Sequence, residues 1–336
     1  MSHLKKVLNI AESLHNTHEL RQKIDQYSSE PSNDIESYVA YQNIQDDGDA
    51  NEEIRIVIIF TIKRILSFLS KQNNLHLDAT YRLNWNNYPV MICGVTNVTG
   101  MFFPSMTVLS SHEDAQAWSE IYGFIHDQGV HPQKRMADGS LAISKAGEEI
   151  FGGCPDCRNS SRLMCWSHVH RNIVPKLKTI GSIDKDVEKS IIKDIEDIQW
   201  ACTDETFHPF VTLLEKKYVE NNSYSDNLVS AISVFFKYFN EIWVNSNEFK
   251  WYEGANPFRS SNNQGIEGQN KNIKASQTMR KRLPLGSFVD VCLRMCNEWS
   301  LNDNTMLEAS REQHLFSQKD GLSLRQSGEH IYPEHF

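Results

Sequence analysis

Three acidic residues, far apart in the sequence, have local contexts that suit metal-ion chemistry: Asp78, Asp138 and Glu267. Asp78 lies in a predicted strand whose opposite face is apolar, where a lone carboxylate is costly to desolvate unless it is paired or binds a cation. Asp138 ends a short predicted strand, and Glu267 shares a predicted helix face with amides and two lysines. Two carboxylates on strands and one on a helix suit two-metal phosphodiester chemistry, because hard divalent ions such as Mg²⁺ prefer oxygen ligands.

Each of these acids also has a simpler structural interpretation. An aspartate near the end of a strand, such as Asp78, commonly hydrogen-bonds a turn. Asp138 precedes Gly139 and Ser140 and is equally suited to cap the next helix. The face around Glu267 is equally consistent with a solvated helix surface. The sequence therefore nominates three acids, and only the fold can bring them together.

A second constellation consists of cysteine and histidine residues. Cys154, Cys157, Cys165 and His168 follow the spacing C-x₂-C-x₇-C-x₂-H, and each pair has zinc-ligand spacing. A zinc knuckle formed by all four is one hypothesis, and it requires ligands that are free to converge. The alternative is structural, with Cys165 as a small core residue of a predicted strand and His168 hydrogen-bonded near the catalytic pocket.

Basic residues gather close to Glu267 in the sequence. They are Lys271, Lys274, Arg280, Lys281 and Arg282. This local excess predicts a track for DNA phosphates, even though the net charge of the whole chain is −9. A solvated face is the alternative, and it is the preferred interpretation for a second patch at Arg171, Lys176 and Lys178. The run from Arg280 to Arg282 also fits nuclear import, so the expected location is the nucleus.

The composition limits the class of protein. A chain of 336 residues allows one large domain, or a catalytic domain with insertions. The seven cysteines are an odd number and no secretory signal precedes them, which favours a reducing compartment with free or metal-bound thiols. The most apolar stretch, 54–69, is too short and too charged to span a membrane. We therefore expect no membrane partner.

The predicted elements follow an α/β order: hairpin-like strands, a helix, a strand, a helix, a strand and then helices. This order is expected of a ribonuclease-H-like mixed sheet flanked by helices, with an all-helical insertion before the last catalytic helix. Five segments are predicted. They are a helical lead-in with a polar, acidic linker (1–50), the first part of the core (51–168), the helical insertion (169–250), the Glu267 helix with a closing helix (251–302) and a polar tail (303–336).

Five ordered motifs resemble the Mutator-like transposase family over roughly residues 50–300. They are Leu77-Asp-Ala-Thr-Tyr81, Met136-Ala-Asp-Gly-Ser140 after Val130-His-Pro132, Met164-Cys-Trp-Ser-His-Val169, the set Asn262, Asn263, Glu267, Gly268, Asn270 and Lys274, and Thr278-Met-Arg-Lys-Arg-Leu-Pro284. The resemblance implies a ribonuclease-H-like DDE domain that uses Asp78, Asp138 and Glu267 with Mg²⁺ or Mn²⁺. It also implies DNA cleavage and strand transfer on transposon ends and target DNA, and it leaves a homo-oligomer open.

One feature of that family has no counterpart in this sequence. Family members usually carry an N-terminal zinc-binding DNA-recognition module, and no Cys/His pattern for such a module precedes residue 90. A truncated transposase and a domesticated, catalytically silent DNA-binding regulator are therefore both expected alternatives. A zinc-stabilised interaction domain, built on Cys154, Cys157, Cys165 and His168, is a third hypothesis.

Overall fold

The computed structural model describes residues 18–46, 54–96, 101–157, 160–246, 250–256 and 263–300. Within these ranges the strands are β1 (Ser37–Gln45), β2 (Arg55–Ile62), β3 (Asn74–Thr80), β4 (Val90–Thr96), β5 (Phe102–Ser110), β6 (Lys134–Ala137) and β7 (Ser161–Met164). They form one mixed sheet in the order β1-β2-β5-β4-β3-β6-β7. The protein is therefore α/β, as the order of predicted elements indicates.

Helices flank this sheet. They are α1 (residues 18–25), α2 (Lys63–Leu69), α3 (Ala115–Asp127), α4 (Leu141–Phe151), α5 (Trp166–Lys178), α6 (Lys185–Ile198), α7 (Asp204–Val219), α8 (Asp226–Phe239), α9 (Gln264–Asn272) and α10 (Leu285–Ser300). The helices α8 and α9 each continue into one π-helical turn, Asn240–Val244 and Ile273–Gln277. No described helix is both long and apolar enough to cross a bilayer.

The register between β3 and β6 determines where the first two acids lie. These strands are parallel, with Leu75 opposite Arg135 and His76 opposite Met136. Continuing this register by two residues places Asp138 beside Asp78. The antiparallel strands β4 and β5 lie on the other side of β3, and α3 and α4 supply the crossovers that parallel strands require.

Polar side chains cap the first turns of α3, α6, α7 and α8. The Asp114 carboxylate accepts a hydrogen bond from the backbone N–H of Ala117 at 2.9 Å and also pairs with Arg55, which joins the start of α3 to β2. Thr203 and Thr206 form a capping box at the start of α7. These local signals place the helices, and packing of their apolar faces then stabilises them.

Two apolar cores hold the elements in place. The larger core lies between the sheet and the helices α1, α2, α3, α4 and α10. The second core joins β6 and β7 to the helical block α5–α8, and includes Phe235, Phe236 and Phe239. The helical character expected for the insertion is thus present in α5–α8, and the apolar face of α8 packs inside the protein.

The expectation of a polar linker within 1–50 is wrong for residues 37–45, whereas residues 26–36 form turns and bends as expected of a linker. Residues 37–45 form β1, an outer strand that pairs antiparallel with β2. Its polar content suggested a linker because an edge strand exposes one side to water, and only Ser37, Tyr38 and Val39 are buried there. The predicted acidic run falls mostly on residues 47–53, and the tail on 301–336, both outside the described residues.

Candidate metal centre

Asp78 and Asp138 come together at the carboxyl end of β3 and β6. One ligand atom from each, and one ring nitrogen of His168, lie within 4.8 Å of one another. A second group with the same spacing contains Cys165, His168 and Glu267, so His168 lies between the two aspartates and the glutamate. The structure therefore brings Asp78, Asp138 and Glu267, the three acids singled out by the sequence, around His168, although no set of ligand atoms within 4.8 Å among the described residues contains all three.

The electrostatics of Asp78 reflect this crowding. Burial and the nearby charges of Asp138 and Glu267 raise the pKa of Asp78 to about 7, against opposing hydrogen bonds from Ala79 and Asn270. The side chain is 8% exposed. A carboxylate in such surroundings ionises fully at neutral pH only when a positive charge comes close to it.

A fourth carboxylate, which sequence reasoning missed, lies near the same aspartates. Burial, followed by the charges of Asp138 and Asp78, raises the pKa of Glu113 to about 7. The hydroxyl of Tyr81 donates a hydrogen bond to Glu113. Glu113 immediately precedes the residue that caps α3, so in the sequence it resembles an ordinary helix-start acid.

Asn263 fixes the start of α9 against β3. Its side-chain Nδ2 donates to the backbone oxygen of Leu77 at 3.2 Å, and its Oδ1 is hydrogen-bonded to Nδ1 of His76 at 2.9 Å. His76 in turn is bonded through Nε2 to Oγ1 of Thr96 at 2.8 Å. This buried polar network joins α9, β3 and β4, and so positions the helix that carries Glu267.

Asn270, one turn beyond Glu267, connects the same helix directly to the first acid. Its Nδ2 donates to Oδ2 of Asp78 at 2.8 Å. The Glu267 helix therefore lies on the face of the sheet to which the Asp78 carboxylate points. Oδ1 of Asn270 and Nδ1 of His168 are buried and have no hydrogen-bond partner among the described residues.

Close packing brings α9 near the sheet. A Cβ atom added at Gly265 would lie 2.5 Å from Cβ of Phe102 on β5, whereas one added at Gly268 would meet nothing within 4 Å. Gly265 is thus required for the approach of the helix, because any larger residue would collide with β5.

Cys165 and His168 belong to this centre rather than to a zinc knuckle with Cys154 and Cys157. Sγ of Cys165 accepts a hydrogen bond from the backbone N–H of Asn263 at 3.2 Å. The predicted set of four ligands is therefore corrected: the strand β7 ends at Met164, and the chain carries Cys165 and His168 into α5 beside α9. Cys154 and Cys157 precede β7 and lie at its opposite end, next to two histidines.

The third acid has a cationic neighbour. The guanidinium of Arg171 lies 3.1 Å from Oε1 of Glu267, and its side chain is 61% exposed. The preferred interpretation of Arg171 as part of a solvated patch overlooked this contact. The signal was present in the sequence, because Arg171 follows His168 by three positions and so shares its helix face.

Asp138 does not cap α4, whose N-cap residue is Ser140 and has no side-chain cap hydrogen bond. Its Oδ1 accepts a hydrogen bond from the backbone N–H of Ser140 at 3.0 Å, just before α4. A carboxylate has several lone pairs, so this turn contact leaves oxygen sites available for a cation. The turn contact and metal binding are therefore compatible at Asp138, and the predicted helix cap is wrong.

The basic residues predicted to follow DNA are all exposed: Lys271, Lys274, Arg280, Lys281 and Arg282. The loop that carries the last three is connected to the segment after β3 by backbone pairing of Leu283 with Asn84. Trp85 in that segment is 65% exposed, and its Nε1 donates to the backbone oxygen of Arg282 at 3.0 Å.

No protein-family model matches this chain, and no curated protein is significantly similar to it in sequence. The interpretation of the site therefore depends on its own residues and geometry.

Proposed function

We propose that this chain is the catalytic region of a DDE-type DNA transposase of the Mutator-like kind, with Asp78, Asp138 and Glu267 binding two divalent cations over a DNA phosphodiester. The main support is the shared position of three acids from distant segments. Their mutual repulsion, together with burial, raises the pKa of Asp78 to about 7. In this proposal each bound cation relieves that repulsion, which favours metal binding.

The donor atoms suit Mg²⁺ or Mn²⁺. The two aspartates and Glu267 provide carboxylate oxygens, and Oδ1 of Asn270 is a buried acceptor with no partner among the described residues. Hard divalent ions prefer such oxygen donors. When bound, two ions supply activation of the attacking oxygen and stabilisation of the leaving oxygen.

The surrounding side chains have distinct roles in this proposal. Asn270 fixes the orientation of the Asp78 carboxylate, and Asn263 fixes the helix that presents Glu267. Burial lowers the pKa of His168 despite the charges of Asp138 and Glu267, so its ring stays neutral and can hydrogen-bond a reacting group. Arg171 exchanges its contact with Glu267 for a phosphate oxygen when DNA is present.

The order of the strands supports a ribonuclease-H-like core. From β5 to β7 the spatial order is β5-β4-β3-β6-β7, with an antiparallel meander followed by two parallel strands. That order, with the first acid on the central strand and the second after the adjacent parallel strand, is what such a core requires. The helices α5–α8 then form the insertion before α9.

The DNA surface in this proposal extends from α9 along the loop at Arg280–Arg282. Its lysines and arginines contact phosphates, which carry no sequence information. Trp85, exposed beside this loop, offers an aromatic face on which an unpaired base can stack. The substrates are transposon ends and target DNA, and the place of action is the nucleus.

A plasmid-nicking assay tests the proposal. The purified full chain is incubated with supercoiled plasmid and Mn²⁺, beside Asp78→Asn, Asp138→Asn and Glu267→Gln variants and the matched surface variant Asp186→Asn. We expect nicking by the wild type and by Asp186→Asn, and loss of nicking in the three site variants, with EDTA abolishing all cleavage. Unchanged nicking in any site variant would refute the assignment of that acid.

The same assay decides for or against the domesticated regulator. A regulator binds DNA without cutting it, so a wild-type chain that binds plasmid and never nicks it would overturn the enzymatic proposal. The ion pair between Arg171 and Glu267 is the observation that favours a regulator without nuclease activity. The Arg171 guanidinium already balances the charge of Glu267, which leaves less negative charge to bind a metal ion.

A further inference from the structure

Two histidines and two cysteines meet at the opposite end of β6 from Asp138. They are His126, His131, Cys154 and Cys157, and one ligand atom of each lies within 4.8 Å of every other. None of the four belongs to the acidic centre. The sequence pattern had paired the two cysteines with Cys165 and His168, and the fold pairs them with the two histidines instead.

We propose that His126, His131, Cys154 and Cys157 bind one structural Zn²⁺ ion. Nε2 of His126 lies 3.4 Å from Sγ of Cys154, and Nδ1 of His131 lies 3.5 Å from Sγ of Cys157 and 4.0 Å from Sγ of Cys154. Zinc bonds of about 2.3 Å to sulfur and about 2.0 Å to nitrogen put tetrahedral neighbours about 3.6 Å apart. The observed separations agree with those edges.

Local structure brings each ligand pair together. His126 lies in the last turn of α3, and the chain reverses at Gly129, whose φ of 72° is in the left-handed region. This reversal returns His131 beside His126, with ring centroids 5.1 Å apart. Cys154 and Cys157 lie at the two ends of a tight turn after α4, in which the backbone N–H of Cys157 donates to the carbonyl oxygen of Cys154 at 3.1 Å.

The charge and environment of the group also suit zinc. Two thiolates balance the ion's charge, so the complex is neutral, which keeps the cost of burial low. Cys157 is buried and the other three residues are partly buried. Nδ1 of His126 faces the Asp127 carboxylate at 3.8 Å, on the side of the ring away from Cys154. Four protein ligands close the coordination sphere, which is typical of a structural rather than a catalytic zinc ion.

The position of the ion assigns its role. It joins the turn after α3 to the turn after α4, and these turns lead into β6 and β7 respectively. β6 ends immediately before Asp138. Zinc therefore fixes the entry of the two parallel strands, and it stabilises the fold without contacting the reacting groups. This inference holds whether or not the acidic centre cleaves DNA.

Metal analysis of the full chain, purified under reducing conditions, tests the proposal. We expect one zinc ion per chain in the wild type and in the Glu267→Gln variant, which alters the other candidate group. X-ray absorption at the zinc edge should show two sulfur ligands at about 2.3 Å and two nitrogen ligands at about 2.0 Å. A chain without zinc, or a Cys154–Cys157 disulfide found by mass spectrometry, would overturn it.

Variants identify the ligands. Cys154→Ser, Cys157→Ser and His131→Ala should each lose zinc, whereas Cys165→Ser, Cys202→Ser and His170→Gln should retain it. Circular dichroism monitors the folding of each variant. Where a ligand variant does not fold, the X-ray absorption spectrum of the wild type tests the ligand set instead. Loss of zinc in folded Cys165→Ser, or a spectrum with one or three sulfur ligands, would contradict the ligand set.

Discussion

The side-chain amide of Asn270 donates a 2.8 Å hydrogen bond to Oδ2 of Asp78, across 192 residues of sequence. This contact connects α9, which carries Glu267, to β3, which carries the first acid. An amide is well suited to this position because it orients the carboxylate without adding charge, and the carboxylate oxygens keep further lone pairs that can bind a cation. The geometry of the centre therefore depends on a neutral neighbour as well as on the acids.

Removing this hydrogen bond should weaken metal binding. We expect Asn270→Ala to lower the affinity for Mn²⁺ about 10- to 100-fold, the usual effect of removing a group that orients a metal ligand. Mn²⁺ titration of plasmid nicking, and of thermal stability in the absence of DNA, would measure the change. Asn272→Ala, an exposed position on the same helix, is the control. Equal Mn²⁺ affinity in both variants would show that Asn270 does not position Asp78.

The raised pKa of Asp78 predicts a stability gain for Asp78→Asn in metal-free protein. Between the unfolded pKa of about 4 and the folded pKa of about 7, the folded wild type binds more protons than the unfolded chain. The stability contribution of Asp78 therefore falls as the pH rises through that window. The variant should unfold with a free energy higher by on the order of 1–3 kcal/mol at pH 8, and the gain should vanish near pH 4.

Urea denaturation in EDTA at several pH values would measure this difference, with Asp186→Asn as the exposed control. Glu113 also lowers the free energy of unfolding as the pH rises, in the wild type and in Asp78→Asn, since its pKa is raised to about 7. Added Mg²⁺ should stabilise the wild type and not the variant. A variant less stable than the wild type at pH 8 in EDTA would show that Asp78 is not under repulsive strain.

The sequence predicted much of the sheet and the acids themselves. The predicted order of hairpin-like strands, helix, strand, helix and strand agrees with β3 to β7 and the intervening helices α3 and α4, because β-branched runs and alternation are local signals. The three acids were identified from their local contexts, and their convergence follows from the parallel register of β3 and β6 and from the packing of α9.

Other parts required the tertiary structure. β1 is an edge strand with few apolar positions, so its pairing with β2 determines it more than its own pattern does. Glu113 and the partner histidines of Cys154 and Cys157 come near their neighbours only through the packing of α3. The spacing C-x₂-C-x₇-C-x₂-H predicted a wrong set of four zinc ligands, because the strand β7 separates Cys154 and Cys157 from Cys165 and His168.

Two glycines on α9 should respond in opposite ways to alanine. At Gly265 the added Cβ would lie 2.5 Å from Cβ of Phe102, so Gly265→Ala should destabilise the protein by about 1–3 kcal/mol and move Glu267. At Gly268 the space is open, so Gly268→Ala should stabilise it by up to about 1 kcal/mol through helix propensity. Chemical denaturation would compare the free energies of unfolding of the two variants with that of the wild type. Similar effects at both positions would contradict the close approach of α9 to β5.

The exposed loop at Arg280–Arg282 should carry a large part of the DNA affinity. Replacing Arg280, Lys281 and Arg282 together by alanine removes three positive charges beside the pairing of Leu283 with Asn84. A triple alanine variant at Lys185, Lys189 and Lys193 on α6 removes the same charge from another exposed surface. Fluorescence anisotropy with a DNA duplex, measured at several salt concentrations, compares both variants with the wild type.

Removing one lysine or arginine that neutralises a phosphate should reduce the slope of log affinity against log salt by about 0.9, because fewer counterions are released from DNA. The loop variant should therefore show weaker binding and a shallower slope. The α6 variant should keep both values, apart from a small uniform change due to net charge. If the two variants bind DNA equally weakly, the loop is an ordinary solvated face, and the phosphate track must lie on another part of the surface.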